Sequence, residues 1–267
     1  TGIIHGDIKA DNCLLRLEPT FEWDSRYDPS GAHGWSKKGI KLIDFGCAVD
    51  VTKFSPDMRF IADWKTDDQD CVEMREGRPW KWQADYYGLA GVIHCMLHNE
   101  YMQITPVRVD DDSFSSGVSS ISTKKYRPIQ SFKRYWQSDL WRKLFDMLLN
   151  PTMVRSDSRL PITQELNDIR REFEEYLVSN SNRAGKNLKE LLYKLEISGE
   201  HVTGYRYVEI QSLCPQMETV GEALVVVIQN FIGESDVAQN LTGKRVFWLS
   251  HSKNRKILAK GKYFDRR

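Results

Sequence analysis

The sequence predicts an α+β fold that is mainly helical, and three observations predict it. The stretch Ala84 to Leu97 is apolar nearly all round, the pattern of a helix buried in a core. Ser138 to Leu149 carries Leu140, Trp141, Leu144, Phe145 and Leu148 on one helical stripe. Pro161 to Leu177 does the same with Leu166, Ile169, Phe173 and Leu177. Two short apolar runs, Cys13 to Arg16 and Ile40 to Ile43, supply the strand pair of a small sheet.

In chain order, residues 1–12 read as a loop, because Gly2 and Gly6 punctuate a stretch crowded with polar groups. Residues 18–39 are rich in Pro, Gly, Ser, Asp and Trp without an apolar period, and read as a surface insertion in a hairpin. Residues 44–80 read as irregular. Residues 107–125 hold Asp110-Asp111-Asp112, six serines and a Lys-Lys pair, and are expected to form a mobile loop. From about residue 183 the character changes: Lys186 to Leu195 suits one helix, and 205–210, 223–232 and 245–250 are strand-like.

Composition bounds the function. A chain of 267 residues suits one large domain or two small ones, and 40% hydrophobic with 28% charged residues is ordinary for a globular protein. A net charge of +1 makes no case for direct nucleic-acid binding or a membrane surface. No apolar stretch is long enough to span a bilayer. Five scattered cysteines, with no C-x-x-C pair, favour a reducing compartment such as cytosol or nucleus. The chain opens at Thr1, four residues before its chemical core, and reads as a piece of a longer protein.

That core is His5-Gly6-Asp7-Ile8-Lys9-Ala10-Asp11-Asn12, an H-G-D-x-K-x-x-N motif, followed by Asp44-Phe45-Gly46 after the second strand. Phosphoryl transfer needs these groups: a carboxylate for the attacking hydroxyl, a cation for the phosphate, and an amide with a second carboxylate for Mg²⁺. The pair of motifs, each beside a short strand, is far more specific than either alone. Taken singly, His5 suits a packed core histidine, and Glu73 and Asp85 suit structural ion pairs or caps. His94, Cys95 and His98 argue against a metal site, since ligands at adjacent helix positions point apart.

Over residues 1–178 these motifs resemble the C-terminal lobe of a eukaryotic protein kinase, with the small lobe absent. The resemblance makes residues 1–180 a partial lobe and 181–267 an extension with no role assigned. It implies that Asp7 is the catalytic-loop aspartate and that Lys9 contacts the γ-phosphate of ATP. It implies Asn12 and Asp44 as the Mg²⁺ ligands and Leu14 as the floor of the adenine pocket. His5 and Phe45 would stack in a spine anchored by Asp85, and Glu73 would close the activation segment with Arg155 or Arg159 as its partner. Gly6 stands where an arginine is usual, which implies independence from activation-segment phosphorylation. Without the small lobe, the isolated chain is expected to be marginally stable and inactive.

Gln69-Asp70-Cys71, Glu73-Met74-Arg75, Gly77-Arg78-Pro79-Trp80, Ala84 to His94 and Phe132 to Trp136 narrow the resemblance. They are similar to the spindle-checkpoint serine/threonine kinases of the budding-uninhibited-by-benzimidazole family, fungal members nearest. That family implies a core-histone tail as substrate, checkpoint proteins as partners, and a place at the kinetochore in the nucleus. Two other readings compete. One is a checkpoint scaffold without catalysis, against which the intact Asp7, Lys9, Asn12 and Asp44 argue. The other is a small-molecule phosphotransferase, which generally lacks a lysine two residues after the aspartate.

Overall fold

The computed structural model describes residues 2–17, 26–108, 124–133, 136–182 and 207–209. Its centre is α2 (Gln83–His98), which buries twelve of its sixteen residues. This is the helix expected from the apolar stretch at 84–97. It ends at Asn99, whose left-handed backbone (φ 60°) serves as the C-cap. The other long helices, α3 (Ser138–Leu149) and α4 (Thr163–Ser179), pack in succession beside it. The expected stripes face inward: Trp141, Leu144, Phe145 and Leu148 on α3, and Ile169, Phe173 and Leu177 on α4, are buried, while Leu140 and Leu166 at the stripe edges are half-buried. Trp141 meets Phe173 with ring centroids 4.7 Å apart. Helix α4 starts at Thr163 rather than Pro161, because the Ile162 N–H is donated to the Tyr86 hydroxyl at 3.0 Å and Ile162 is not helical.

The sheets are small. Strands β2 (Cys13–Leu17) and β3 (Lys38–Leu42) form the expected antiparallel hairpin, with Cys13 opposite Leu42. The described part of its insertion is not wholly superficial. Tyr27 and Trp35 are buried, and the Trp35 indole N–H is donated to the Arg26 carbonyl at 2.7 Å.

Residues 1–12 are not all loop. Strand β1 (Ile3–Ile4) pairs antiparallel with β4 (Val49–Asp50), and Ala10–Asn12 form a 3-10 turn. Glycine-rich punctuation concealed β1, whose pairing partner lies more than forty residues away. The 44–80 segment is mostly irregular, but it contains α1 (Val72–Arg75) and a bridge between Phe60 and Trp80.

The loop expected at 107–125 is narrower than that. Its ends belong to β5 (Ile104–Arg108) and β6 (Lys124–Pro128), which pair antiparallel, and residues 109–123 lie outside the described residues. Arg108, the acidic and serine-rich run after it, and Lys124-Lys125 hid the ends of both strands. Strand β7 (Tyr207–Glu209), inside the strand-like stretch 205–210, pairs antiparallel with β2 at Leu14–Arg16. The helix expected at 186–195 and the strands expected at 223–232 and 245–250 lie outside the described residues.

Candidate active site

The loop from His5 to Asn12 is irregular, so its backbone polar groups need partners other than a ladder or a helix. One carboxylate on α2 serves two of them. Asp85 Oδ2 accepts from the His5 N–H at 2.7 Å, and Asp85 Oδ1 accepts from the Gly6 N–H at 2.9 Å. Burial pushes the Asp85 carboxyl above its usual range, while the N–H groups of Gly6 and His5 pull it back down. The His5 ring continues the bracing. Its Nδ1 lies 3.3 Å from the Asp7 N–H, an obligate donor, so Nδ1 accepts. The proton then sits on Nε2, which donates to the Ile43 carbonyl at 3.0 Å. His5 is buried, and its ring meets Phe45 edge-on at 4.7 Å between centroids, a T-shaped contact rather than the expected stack.

On this base the structure brings Asp7, Lys9 and Asn12 together. Lys9 Nζ donates to Asp7 Oδ2 at 2.9 Å and Oδ1 at 3.2 Å. Asn12 Nδ2 donates to the Asp7 carbonyl at 2.8 Å and to Asp7 Oδ2 at 3.1 Å. Both amide protons of Asn12 are thus directed at Asp7, which leaves its amide oxygen for another partner. Asn12 is itself buried, at the end of the 3-10 turn where the chain enters β2.

The second motif is tied to the first through the hairpin. The Ile43 N–H is donated to the Asn12 carbonyl at 2.9 Å, so Asp44 follows directly on a residue bonded to Asn12. Asp44 is exposed and left-handed (φ 61°, ψ 67°), with its carboxylate accepting from the Gly46 N–H at 3.3 Å. A non-glycine residue in that region is uncommon and is found where local structure over-determines it. Leu14 lies on β2 beside this end of the hairpin, half-buried, between Lys41 of β3 and Glu209 of β7. Asn12 and Asp44 offer oxygen donors of the kind Mg²⁺ prefers. Among the described residues, no group of three or more His, Cys, Asp or Glu side chains is placed to hold a metal alone.

One expectation fails. Glu73 is paired with neither Arg155 nor Arg159. Its carboxylate lies 4.0 Å from Arg78, while Arg155 binds Glu165 and Arg159 binds Asp157 at 2.6 Å. Arg78 is close because α1 ends in a turn, where the Arg78 N–H is donated to the Glu73 carbonyl at 2.7 Å. Burial raises the Glu73 carboxyl, and Arg78 only partly offsets this.

Sequence reasoning passed over two residues, one of which shapes the site. Gly88 lies on the α2 face under the loop, and a Cβ there would sit 2.4 Å from the Ile8 carbonyl oxygen. The backbone can approach only because that position has no side chain. A glycine inside an otherwise apolar helix was the available signal. Lys81 is buried, with Nζ donating to the Pro56 carbonyl at 3.0 Å, and burial lowers its ammonium below the usual lysine value. Gly6 also has a steric reason to be glycine. Its φ is +76°, and a Cβ would lie 2.8 Å from the Cys47 carbonyl oxygen.

With this geometry in hand, comparison with known proteins is informative. No family model matches the chain. It is 49% identical over 197 residues to the spindle assembly checkpoint serine/threonine-protein kinase bub1 of Schizosaccharomyces pombe, covering 73% of this chain and 18% of that protein. It is 40% identical over 188 residues to the Saccharomyces cerevisiae BUB1 kinase of the same description, covering 70% and 17%. It is 40% identical over 198 residues to the mitotic checkpoint serine/threonine-protein kinase BUB1 of Arabidopsis thaliana, covering 74% and 34%. The chain therefore spans less than a fifth of the length of the two fungal relatives. Among solved structures, the BubR1 kinase domain aligns at 27% identity and a TM-score of 0.45, over 82% of this chain and 49% of that one.

Proposed function

We propose that the chain belongs, over the part it spans, to the BUB1 family of spindle-checkpoint serine/threonine kinases, to which it is similar, and that it carries the catalytic loop of an ATP-dependent protein kinase acting in mitosis. The observation that carries the proposal is the hydrogen-bonded cluster of Asp7, Lys9 and Asn12, with Asp44 one residue from the Asn12–Ile43 bond.

In this reading Asp7 orients and deprotonates the hydroxyl of a protein serine or threonine. Lys9 leaves Asp7 to meet the γ-phosphate of ATP when nucleotide binds. The Asn12 amide oxygen and the Asp44 carboxylate would hold Mg²⁺, which supplies charge neutralisation for the phosphates. Leu14 would lie under the adenine. His5, Gly6 and Asp85 act as positioning residues. The protein substrate proposed is a core-histone tail, the partners are kinetochore checkpoint proteins, and the location is the kinetochore within the nucleus.

The experiment is transfer of labelled phosphate from Mg-ATP to a histone-tail peptide by the full-length protein. Asp7→Asn is expected to cut the rate by roughly 10²–10⁴-fold, the usual contribution of a positioned proton-transfer group, and to leave ATP binding largely intact. Asp44→Ala is expected to abolish Mg²⁺-dependent nucleotide binding as well. Binding of Mg-ATP by the unsubstituted protein without any transfer would instead support a scaffold without catalysis. Transfer to choline or an aminoglycoside, and not to the peptide, would support a small-molecule phosphotransferase.

A further inference from the structure

One concavity is lined by none of the catalytic-loop residues and stands outside the proposed chemistry. It is a groove of about 770 Å³ between the segment 126–132 and one face of α3. That volume falls in the range of sites that hold ligands, roughly 300–1,000 Å³. Its floor is apolar: Phe145 is 1% exposed, and its ring lies 5.1 Å from that of Phe132. At its lip Ile129 is 56% exposed, the most exposed of the large apolar side chains described.

That exposure is not the looseness of a free loop. The Ile129 N–H is donated to the Gln103 carbonyl at 2.9 Å. The next side chain, Gln130, donates to Glu100 at 2.7 Å and lies 3.1 Å from His94 Nε2. An isoleucine is thus held out to water between two anchored groups, an arrangement that lowers the ordering cost of binding.

The rim is cationic. Arg127, Arg142 and Lys143 line the groove with one carboxylate, Asp146, and Lys143 is already paired with Glu172. Asp146 is already taken by Lys125 at 3.3 Å and by the Asn150 amide at 3.1 Å. Arg127 pairs with no carboxylate among the described residues. Among the described residues Arg142 pairs with Asp139, one helical turn away, whose side chain is 94% exposed. An exposed pair of that kind is worth little and exchanges readily. In a chain of net charge +1, Arg127 and the loosely paired Arg142 are a local cationic pair and not a general basic field. A concave apolar floor under arginines fits a peptide better than the flat surface of a lipid or the continuous charge of a nucleic acid.

We propose that this groove docks an acidic segment of a protein partner, with one large apolar side chain seated between Ile129 and Phe145 and carboxylates on either side meeting Arg127 and Arg142. Arginine binds carboxylates in a bidentate fork, so the rim supplies direction as well as attraction. The docked segment does not contact Asp7, Lys9 or Asn12, so docking is separable from phosphoryl transfer.

The test uses the full-length protein and a fluorescein-labelled peptide with Asp and Glu on both sides of a central Leu-Phe pair, read by fluorescence anisotropy. The expected result is saturable binding that weakens with added salt. Arg127→Glu and Arg142→Glu are each expected to weaken it tenfold or more, about 1.4 kcal/mol. Ile129→Asp, and replacement of Leu-Phe by Ala-Ala in the peptide, are expected to do the same. An unchanged thermal transition in each variant establishes that the fold is intact, and Arg142→Gln serves if the reversal of charge disturbs it. Absence of binding, equal binding by the arginine variants, or equal binding of a peptide with Asn and Gln in place of the acids would overturn the proposal.

Discussion

The loop His5–Asn12 and the segment Phe54–Trp80 are both largely irregular, yet they are held in different proportions by polar groups and by rings. The loop is held by polar groups: two N–H donors end on Asp85, the His5 ring bridges Asp7 to Ile43, and Asn12 and Lys9 converge on Asp7. The segment is held by rings. Phe60 lies 5.6 Å from Phe54 and 5.3 Å from Trp80, and Trp64 lies 6.5 Å from Trp80. Polar definition comes beside the rings: the Phe60–Trp80 bridge with two backbone bonds of 2.8 Å, the Lys81–Pro56 contact, the Tyr87 hydroxyl donating to the Asp68 carbonyl at 2.9 Å, and the Tyr126 hydroxyl donating to Glu76 at 2.6 Å. The segment even leaves the indole N–H groups of Trp64 and Trp80 buried without a partner. Aromatic packing tolerates small displacements, whereas a hydrogen bond weakens steeply once its angle falls away. Groups that must meet reacting atoms therefore sit on the polar scaffold.

The comparison can be broken most severely at Asp85. Asp85→Ala strands two backbone N–H groups, each costing about 1–3 kcal/mol if it stays buried and unpaired. That sum is a large share of the 5–15 kcal/mol available to a typical fold. The expected outcome in the full-length protein is a large fall in thermal stability and a rate loss of about 10²-fold or more, since small misplacements at a reacting centre cost that much. Kinetics and calorimetry on the same preparation check it, and a variant with near-normal activity would show that the loop does not depend on this carboxylate.

A smaller effect is expected at Gly6. Gly6→Ala places a Cβ in the left-handed region and 2.8 Å from the Cys47 carbonyl. Conformational strain of that kind costs about 1–3 kcal/mol. Because Cys47 follows Asp44-Phe45-Gly46, we expect the affinity for Mg-ATP to fall with the stability, as read by titration calorimetry. Gly6→Arg is expected to behave in the same way, without creating an arginine clamp for phosphate. Stability lost with nucleotide affinity unchanged would mean that the Gly6–Cys47 contact does not govern the second motif.

The smallest effect is expected in the aromatic segment. Trp64→Phe removes an unpaired buried N–H and keeps a ring against Trp80. The lost area and the relieved polar group oppose each other, so the change in stability should stay within about 1 kcal/mol, in the range of conservative core exchanges. Chemical denaturation measures it. A loss above about 2 kcal/mol would show that the segment is as exacting as the loop, and the contrast between the two would fail.

By itself, the sequence determined the features whose causes are local. Apolar periodicity specifies α3 and α4, because a helix repeats every 3.6 residues whatever surrounds it, and an apolar run longer than a strand specifies α2. The eight residues from His5 to Asn12 put Asp7, Lys9 and Asn12 within reach of one another, since five residues of loop cannot separate them far. Tertiary structure alone decided the rest. Asp85 meets the loop across about eighty residues of chain. Strand β1 exists only because β4 lies beside it. The groove over Phe145 arises where α3 and the end of β6 fail to close on each other. Contacts of this kind depend on which surfaces remain once the helices have packed, and no short window of residues encodes that.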